Sequence, residues 1–356
     1  MTIILDTAAK AKKTTEMFIA FFSEKHYSTY RKKWGVCMND YVVVKNLTKK
    51  YGDIVAVDDL SFTVGKEEIF GFLGPNGAGK STTLNVLCSL TDYVSGEITV
   101  GGMRLQREGD KIKSLIGLVP QEIAVYPTLT VYENVTFFAS LYGFRGKALR
   151  EAAMEALEFV GLSDQRKRVV SKLSGGMRRR LNIACGIAHN PKLVVMDEPT
   201  VGVDAQSREH IMDSIRKLRA RGMTVIYTSH YMPEVQEICD RIAIIDRGRL
   251  VAVGTEAELV ARITDTKTIE IETELAALKD INELIKDILQ LPDIVSAERD
   301  PAANLLRIEA KITLSTLNPI LRLLMDRNAP IYRIDSKTPD LESTYLTLTG
   351  RELREG

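Results

Sequence analysis

The sequence has little of several features that mark particular classes of protein. Its four cysteines are scattered, with no CxxC spacing and no histidine companions, which argues against a disulfide framework or a zinc site and favours a reducing compartment. The longest apolar run, residues 17–22, falls far short of the roughly 20 residues needed to cross a bilayer. The sequence also has no large excess of charge of one sign, because it contains 48 Lys and Arg residues and 47 Asp and Glu residues. Proteins that wrap nucleic acid need clustered basic residues, so no specific nucleic acid is expected as a partner.

The first 39 residues differ from the rest of the chain and form a basic, aromatic N-terminal extension. Basic residues exceed acidic ones by four in this segment, which also holds the only tryptophan, Trp34. Such a segment can lie on an anionic membrane surface. A flexible leader, or a true translation start at Met38, accounts for the same composition. A secretory signal is not indicated, since no small-residue cleavage site follows the apolar run.

Residues 40–256 have the pattern of an α/β domain. Short apolar, strand-like runs alternate with helical stretches such as residues 207–219. The strand-like runs are residues 41–44, 62–64, 69–73, 116–119, 193–196, 225–228 and 242–245. Apolar strands that alternate with helices predict a largely parallel sheet that is buried on both faces.

Residues 257–356 have a different pattern and predict a small α+β accessory domain with a terminal helix. Ile269 and Ile271 alternate with polar residues, and apolar residues then recur at helical spacing over 278–288. Strand-like runs at 293–298 and 304–310 precede a second helical stretch, 314–327, and a last strand, 331–334. The order βαββαβ predicts a ferredoxin-like fold.

A glycine-rich phosphate-binding motif follows the strand at 69–73. It fits the pattern GxxxxGK[ST] and consists of Gly74, Pro75, Asn76, Gly77, Ala78, Gly79, Lys80 and Ser81, followed by Thr82. The glycines allow successive N–H groups and a helix N-terminus to converge on anionic oxygens. Lys80 is expected to contact the β- and γ-phosphates, and the Ser81 hydroxyl to bind Mg²⁺.

Two carboxylates end the apolar run at 193–196. Ligands of parallel sheets bind at the carboxyl ends of the strands, which is where Asp197 and Glu198 emerge. Asp197 can hold Mg²⁺ directly or through water, and Glu198 can orient and deprotonate an attacking water.

Several further motifs in a fixed order resemble those of the ABC ATPases, a family of P-loop NTPases. Leu173-Ser174-Gly175-Gly176-Met177 is similar to the LSGGQ signature of that family. The resemblance covers about residues 41–256 and implies a P-loop core with a helical signature subdomain at about 122–185. The motifs in order are Tyr51, the phosphate loop, Gln121, the signature, Asp197-Glu198, Gly202-Val203-Asp204 and His230.

The resemblance implies roles for these residues and ATP and Mg²⁺ as ligands. Tyr51 would stack on adenine, and Gln121 would give an oxygen to Mg²⁺ or to the attacking water. His230 would hydrogen-bond the γ-phosphate. Ser174, Gly175 and Gly176 would serve the γ-phosphate bound to the opposite subunit of a head-to-tail dimer, with Asp204 also at the nucleotide interface. Lys80, Gln121, Glu198 and His230 are thus the catalytic candidates, and Ser81, Gln121 and Asp197 the metal-binding ones.

Two positions depart from the family pattern. Met177 replaces the usual glutamine of the signature, and Val203 replaces leucine in the loop that contains Asp204. The backbone N–H donors of the Ser-Gly-Gly segment are kept. We therefore expect ATP binding to be retained, with a weaker contribution from the signature because Met177 lacks a polar side chain.

The resemblance implies that the protein energises transport through a separate membrane permease. It would then lie in the cytoplasm, peripheral to the inner face of the cell membrane, as a homodimer or a heterodimer with another ABC ATPase. The apolar-aromatic residues 123–129 lie where permease helices dock in this family. Residues 339–350 resemble the ending of ATPases from prokaryotic exporters of drugs, polysaccharides, lipids or sodium.

Two other functions are compatible with the motifs. A soluble ABC ATPase could act on ribosomes or DNA, but members that act in translation carry two cassettes, and those that repair DNA insert a coiled coil between phosphate loop and signature. This chain has one phosphate loop, and the 94 positions from Lys80 to Ser174 show no sustained heptads. A nucleotide switch with slow turnover is the other alternative; Met177 leaves it open, whereas Glu198 argues against it.

Overall fold

The computed structural model describes residues 40–261, 267–274, 281–300, 304–311, 317–337 and 340–350. The predicted N-terminal extension, residues 1–39, lies outside the described residues. Within the described part of the chain, no helix is both long enough and apolar enough to cross a membrane.

Most of the described chain forms a body of two sheets with flanking helices. Its elements in chain order are β1 (Asp40–Tyr51), β2 (Ile54–Gly65), β3 (Ile69–Leu73), α1 (Lys80–Leu87), β4 (Ser95–Val100), β5 (Met103–Arg104), α2 (Leu105–Leu115), β6 (Ile116–Val119), α3 (Val131–Leu141), α4 (Gly146–Phe159), α5 (Gly175–Ile187), β7 (Leu193–Asp197), α6 (Ala205–Ala220), β8 (Thr224–Ser229), α7 (Met232–Ile238), β9 (Arg241–Asp246), β10 (Arg249–Gly254) and α8 (Glu256–Ala261).

The central sheet has six strands in the order β10-β9-β3-β8-β7-β6. Strands β9, β3, β8, β7 and β6 are parallel, and only the edge strand β10 is antiparallel to its neighbour. Alternate side chains enter two cores: Ile69 and Leu73 of β3 enter one, and Phe70 and Phe72 enter the other. The prediction of a largely parallel sheet buried on both faces is therefore confirmed.

A second, antiparallel sheet has the order β2-β1-β4-β5. The sequence indicated only two short pieces of it, because both long strands are irregular. The register between β1 and β2 shifts at several points, and Asn46 and Asp59 adopt positive φ angles of 49° and 53°. Such bulges interrupt the two-residue alternation by which strands are identified in a sequence.

The segment between β6 and β7 is mainly helical. The bounds of about 122–185 for a helical signature subdomain stay a prediction. It contains α3, α4, α5 and two short 3-10 turns, Ser163–Gln165 and Val170–Lys172. Helix α3 begins with a capping box in which Thr130 and Glu133 bond each other's backbone N–H groups. This cap fixes the point at which the chain after Gln121 turns into helix.

The C-terminal elements form a third sheet with two helices. They are β11 (Lys267–Thr273), α9 (Ile281–Leu289), β12 (Ile294–Asp300), β13 (Leu305–Ala310), α10 (Leu317–Asp326) and β14 (Ile331–Lys337). The strand order is β12-β13-β11-β14, and all pairs are antiparallel. The predicted βαββαβ order and ferredoxin-like arrangement are thus observed, and Ile269, Ile271, Leu284, Ile288 and Leu324 lie in a core of this unit.

The last described helix, α11 (Leu341–Thr349), packs elsewhere. Its buried residues Leu341 and Tyr345 belong to the hydrophobic core of the first body, together with Leu259 of α8 and Val235 of α7. It contacts α7 and α8. The predicted boundary between residues 256 and 257 stays a prediction, but both α8 and the terminal helix share a core with the α/β body.

Candidate active site

The phosphate loop connects β3 to α1 in a crowded position. A Cβ on Gly74 would lie 2.3 Å from the Ile245 carbonyl oxygen, and one on Gly79 would lie 2.7 Å from that of Ala56. Gly77 and Gly79 have positive φ angles of 80° and 101°, which glycine adopts without strain. The loop therefore needs glycine for both space and backbone conformation, and it ends at the N-terminus of α1, where backbone N–H groups favour an anion.

Lys80 is the first residue of α1, and its ammonium group lies within the loop. Its Nζ donates to the Gly74 carbonyl at 2.7 Å and lies 3.5 Å from Oε1 of Glu198. The side chain is only 4% exposed. Burial lowers the pKa of Lys80, and the Glu198 carboxylate opposes that shift. The Lys80 ammonium group thus lies beside the backbone N–H donors of the phosphate loop.

Glu198 is the point at which three predicted site residues meet. Gln121 donates from Nε2 to Oε2 of Glu198 at 3.3 Å, and Nδ1 of His230 lies 3.2 Å from the same oxygen without the alignment of a hydrogen bond. Lys80 approaches the other carboxylate oxygen. The four side chains follow the ends of four strands, β3, β6, β7 and β8, so the parallel sheet brings them to one edge.

Asp197 and Glu198 are fixed by one buried hydroxyl on β8. Thr228 donates from Oγ1 to Oδ1 of Asp197 at 2.6 Å and accepts the Glu198 backbone N–H at 3.0 Å. Glu198 has a φ angle of 45°, a conformation that costs a non-glycine residue about 1–3 kcal/mol. The bond to Thr228 helps to hold this strained turn, which directs the Glu198 carboxylate toward Lys80.

Ser81 and Thr82 occupy the first turn of α1, where Ser81 is exposed and Thr82 half-buried. Together with the Asp197 carboxylate and the Gln121 amide oxygen, the Ser81 hydroxyl supplies the oxygen ligands that Mg²⁺ prefers. The donor set therefore fits a magnesium ion.

The signature forms a second group with the loop that contains Asp204. Ser174 caps α5 by accepting the Met177 N–H at 3.2 Å. Asp204 caps α6 in the same way, through the Ser207 N–H at 2.8 Å. Gly176 lies against this second cap, since a Cβ there would come 1.8 Å from the Ser207 hydroxyl oxygen. A Cβ on Gly175 would meet nothing within 4 Å, so the signature presents an open face at this residue.

Tyr51 lies at the hairpin between β1 and β2 and is half exposed. The Lys49 ammonium lies 4.6 Å from its ring centroid. Strand β2 leads from this hairpin to Ala56, whose carbonyl borders Gly79 of the phosphate loop. Tyr51 is therefore close in sequence to a direct contact with the loop, and nearly half of its surface is exposed.

Comparison with known proteins gives the family. The family described as ABC transporter matches residues 57–201. The linearmycin resistance ATP-binding protein LnrL of Bacillus subtilis (strain 168) is 42% identical over 321 residues, which are 87% of this chain and 99% of that protein. The chain belongs to the ABC transporter ATP-binding proteins.

Other similar proteins agree with this assignment. Nod factor export ATP-binding protein I of Ralstonia nicotianae (strain ATCC BAA-1114 / GMI1000) is 33% identical, with 90% of this chain and 97% of that protein covered. A solved dimeric ATP-binding cassette in a post-hydrolysis state, bound to ADP and Pi, has a TM-score of 0.55 and 28% identity, and covers 60% of this chain and 98% of its own. This ABC ATPase binds ATP, and its hydrolysis of ATP energises transport.

Sequence reasoning missed two residues that connect the signature helix of this ABC ATPase to Gln121. Arg179 of α5 donates to the carbonyls of Pro120 at 3.2 Å and Gln121 at 2.6 Å, and Asn182 bonds both the Pro120 carbonyl and the Ala124 N–H. Both side chains are buried. Arg179 lies in a run of three arginines, 178–180, and this basic run together with the polar Asn182 gave no sign in the sequence that two of these side chains are buried.

The predicted docking segment 123–129 is largely exposed in the structure. Asn134 of α3, which is fully buried, bonds both the N–H and the carbonyl of Tyr126. The Tyr126 ring lies 5.0 Å from that of Phe137, edge to face. Tyr126, Phe137, Leu141 and Tyr142 are all exposed, and we call them the aromatic surface patch.

Proposed function

We propose that this ABC ATPase powers export through a separate membrane permease, as a head-to-tail dimer with a second copy or with a related subunit. The observation that carries the chemistry is the convergence of Lys80, Gln121 and His230 on the Glu198 carboxylate beside the phosphate loop. The names of the two relatives support the direction, since one concerns linearmycin resistance and the other Nod factor export. The permease would hold the ATPase at the cytoplasmic face of the membrane.

In this proposal Glu198 is the general base. Its carboxylate accepts a proton from the water that attacks the γ-phosphorus of ATP, while Gln121 and His230 fix the position of the carboxylate and of that water. Lys80 and the N–H groups of the phosphate loop stabilise the negative charge on the transferring phosphoryl group. The 3.5 Å pair of Lys80 and Glu198 compensates two charges that are buried inside the protein.

Magnesium would be held by Ser81, Asp197 and Gln121. When bound, the ion neutralises charge on the phosphate oxygens and orients them. Thr228 serves this site because its hydrogen bond to Oδ1 of Asp197 fixes one oxygen and leaves the other for the metal.

The second half of each ATP site would come from the other subunit. The exposed face at Gly175 supports this, since the start of α5 offers backbone N–H groups that a phosphate from outside can reach. Asp204 caps the neighbouring helix and would contact the nucleotide across the interface. Tyr51 would stack on the adenine in its own subunit.

The experiment that tests the proposal compares Glu198→Gln with Glu151→Gln, an exposed glutamate on α4. Without a base, Glu198→Gln should bind ATP and hydrolyse it at least about 100-fold more slowly. ATP should then trap a dimer that size-exclusion chromatography with light scattering detects, whereas Glu151→Gln should behave as the parental protein. Hydrolysis at the parental rate by Glu198→Gln would disprove the role of Glu198. Slow hydrolysis by the parental protein itself would favour the nucleotide switch.

A further inference from the structure

A third buried carboxylate lies close to the site and has no role in the proposed mechanism. Among the described residues, the buried acidic side chains are Asp197, Glu198 and Glu234. Glu234 is in the first turn of α7 and is only 3% exposed. Burial of a carboxylate costs desolvation free energy unless hydrogen bonds and an opposite charge compensate it. The groups around Glu234 therefore indicate its role.

Three hydroxyl groups donate to one oxygen of Glu234. Oε2 accepts from Thr200 at 2.8 Å, from the Tyr227 phenol at 2.5 Å and from Ser229 at 3.1 Å. Burial, and then the Glu234 charge, raise the pKa of Tyr227 well above its ordinary value, so the phenol stays protonated and remains a donor. The other oxygen, Oε1, lies 3.2 Å from Nε of Arg208.

The donors come from segments that carry catalytic candidates. Thr200 is two residues after Glu198, and Ser229 directly precedes His230. Ser229 also accepts the Tyr231 N–H at 3.0 Å, so residues on both sides of His230 belong to the network. Arg208 lies in α6, one turn after its cap Asp204, and its guanidinium carbon is 5.1 Å from the Tyr231 ring centroid.

We infer that Glu234 is a positioning residue that holds the loop after Glu198, the His230 loop and the start of α6 in one arrangement. With all three tied to one carboxylate, the base, the histidine at 3.2 Å from it and the Asp204 cap keep their spacing as a unit. This inference rests on the proposed function, in which these groups act on ATP. A side chain that only filled space would not need three hydroxyl donors, one from the loop after Glu198 and two from the strand that leads to His230.

The test uses variants that cut the network without a change in shape. Thr200→Val removes one donor and no charge, Thr200→Ser restores the hydroxyl, and Glu234→Gln removes the charge. The matched control is Glu237→Gln on the same helix, because Glu237 also joins α7 to α6, through Arg216, but on the exposed surface. Each variant is first checked for a parental urea midpoint.

We expect kcat to fall about tenfold in Thr200→Val, the effect of one hydrogen bond to a charged group, with KM for ATP nearly unchanged. Glu234→Gln should lose at least as much, whereas Thr200→Ser and Glu237→Gln should keep the parental kcat. A parental kcat in Thr200→Val, or an equal loss in Glu237→Gln, would overturn the inference.

A second measurement does not depend on hydrolysis. The chain has four histidines, so the imidazole resonances of isotopically labelled protein are few, and His230→Gln assigns that of His230. Without nucleotide, Thr200→Val should shift the His230 resonance and leave that of the exposed His210 in place. An unmoved His230 resonance would disprove the positioning role, even if the parental protein proved inactive. If the resonance shifts but the parental protein does not hydrolyse ATP, the inference stands and the proposed function is rejected.

Discussion

Two adjacent glycines in the signature have different surroundings. A methyl group on Gly176 would collide with the side chain of Ser207, whereas one on Gly175 would point into open space. Gly176 is therefore needed for the packing of α5 against the start of α6. Among the described residues, a Cβ at position 175 would meet no atom within 4 Å, so the packing seen there does not require glycine. In the proposed dimer, the ATP bound to the partner would require it.

This contrast gives a prediction. Gly175→Ala should keep the parental stability and ATP affinity of the single subunit, but hydrolysis should fall about 100-fold because the methyl group blocks donors for the partner's phosphate. Thermal unfolding, nucleotide titration and steady-state hydrolysis measure the three quantities. Gly176→Ala serves for comparison and should lower the unfolding temperature. Parental hydrolysis by Gly175→Ala would show that the signature does not meet ATP there.

His189 is a buried histidine at the end of the signature helix. Its Nε2 lies 3.1 Å from the Ile116 carbonyl oxygen, and its ring stacks on that of Tyr142. Burial lowers the pKa of His189 to about 4, although the bond to Ile116 partly opposes this. The folded protein thus holds a neutral imidazole where the unfolded chain, with a pKa near 6.5, takes up a proton.

This difference in pKa makes the free energy of unfolding depend on pH. The contribution of His189 to the free energy of unfolding is complete above about pH 6.5, and it is lost as the pH falls toward about 4, by up to about 3 kcal/mol. Urea unfolding between pH 7 and pH 5 should therefore show a shallower loss of stability in His189→Gln than in the parental protein. His210→Gln, which changes an exposed histidine, should retain the parental slope; the same slope in all three would contradict the prediction.

The phosphate loop, Asp197, Glu198 and the signature could be found in the sequence because each is a contiguous motif next to a strand or helix. Glu234 and Arg179 could not, since their roles depend on partners 34 and 59 positions away in the chain. Their burial is decided by tertiary packing, and in the sequence both resemble ordinary polar residues on a helix surface. Single side chains that join two loops are thus the part of the site that local patterns do not reveal.

At the scale of elements, regular strands were predicted well and irregular ones poorly. Every residue of strands β3, β7 and β8 is buried, and each strand contains a run of consecutive, mainly apolar residues. The sequence located all three. Strand β4 contains Gly96 at a φ angle of 123° and has half-buried polar residues, so its pattern did not indicate a strand. Buried parallel strands carry their own signal, whereas the irregular strands of the antiparallel sheet depend on their neighbours.

The contribution of the terminal helix α11 to the core of the α/β body can be tested by substitution. Tyr345 is 1% exposed within the core of the α/β body, whereas its neighbour Leu346 is 43% exposed. Tyr345→Ala should lower the free energy of unfolding of that body by about 3–5 kcal/mol, and Leu346→Ala by less than about 0.5 kcal/mol. Urea unfolding monitored together with ATP binding measures both. Equal effects would mean that the helix is not part of this core.

At the scale of the whole molecule, the aromatic surface patch is the feature that a separate permease would use. It lies on α3 and on the segment after Gln121, and Arg179 joins that segment to the signature helix. A partner bound at the patch would thus be connected by a few side chains to Gln121 and, through it, to Glu198. This is a short physical path from the proposed docking surface to the proposed base.

The corresponding prediction concerns binding rather than hydrolysis. Phe137→Glu should abolish copurification with a tagged membrane protein from a neighbouring reading frame that encodes about six apolar spans, because a charge in an apolar contact must be desolvated. ATP hydrolysis by the isolated ATPase should stay at the parental level. Met325→Glu, at an exposed apolar residue of α10, is the control and should still copurify. Retention of the permease by Phe137→Glu would exclude the patch as the contact.

The return of the terminal helix to the α/β body changes how the βαββαβ unit is attached. Because α8 before the unit and α11 after it lie in one core, the unit is topologically an insertion with two connections, and not a tail on one. A truncation after α8 therefore removes Leu341 and Tyr345 from the core of the ATPase itself. An excision that rejoins residue 261 to residue 340 through a short linker would remove the same unit and keep that core complete.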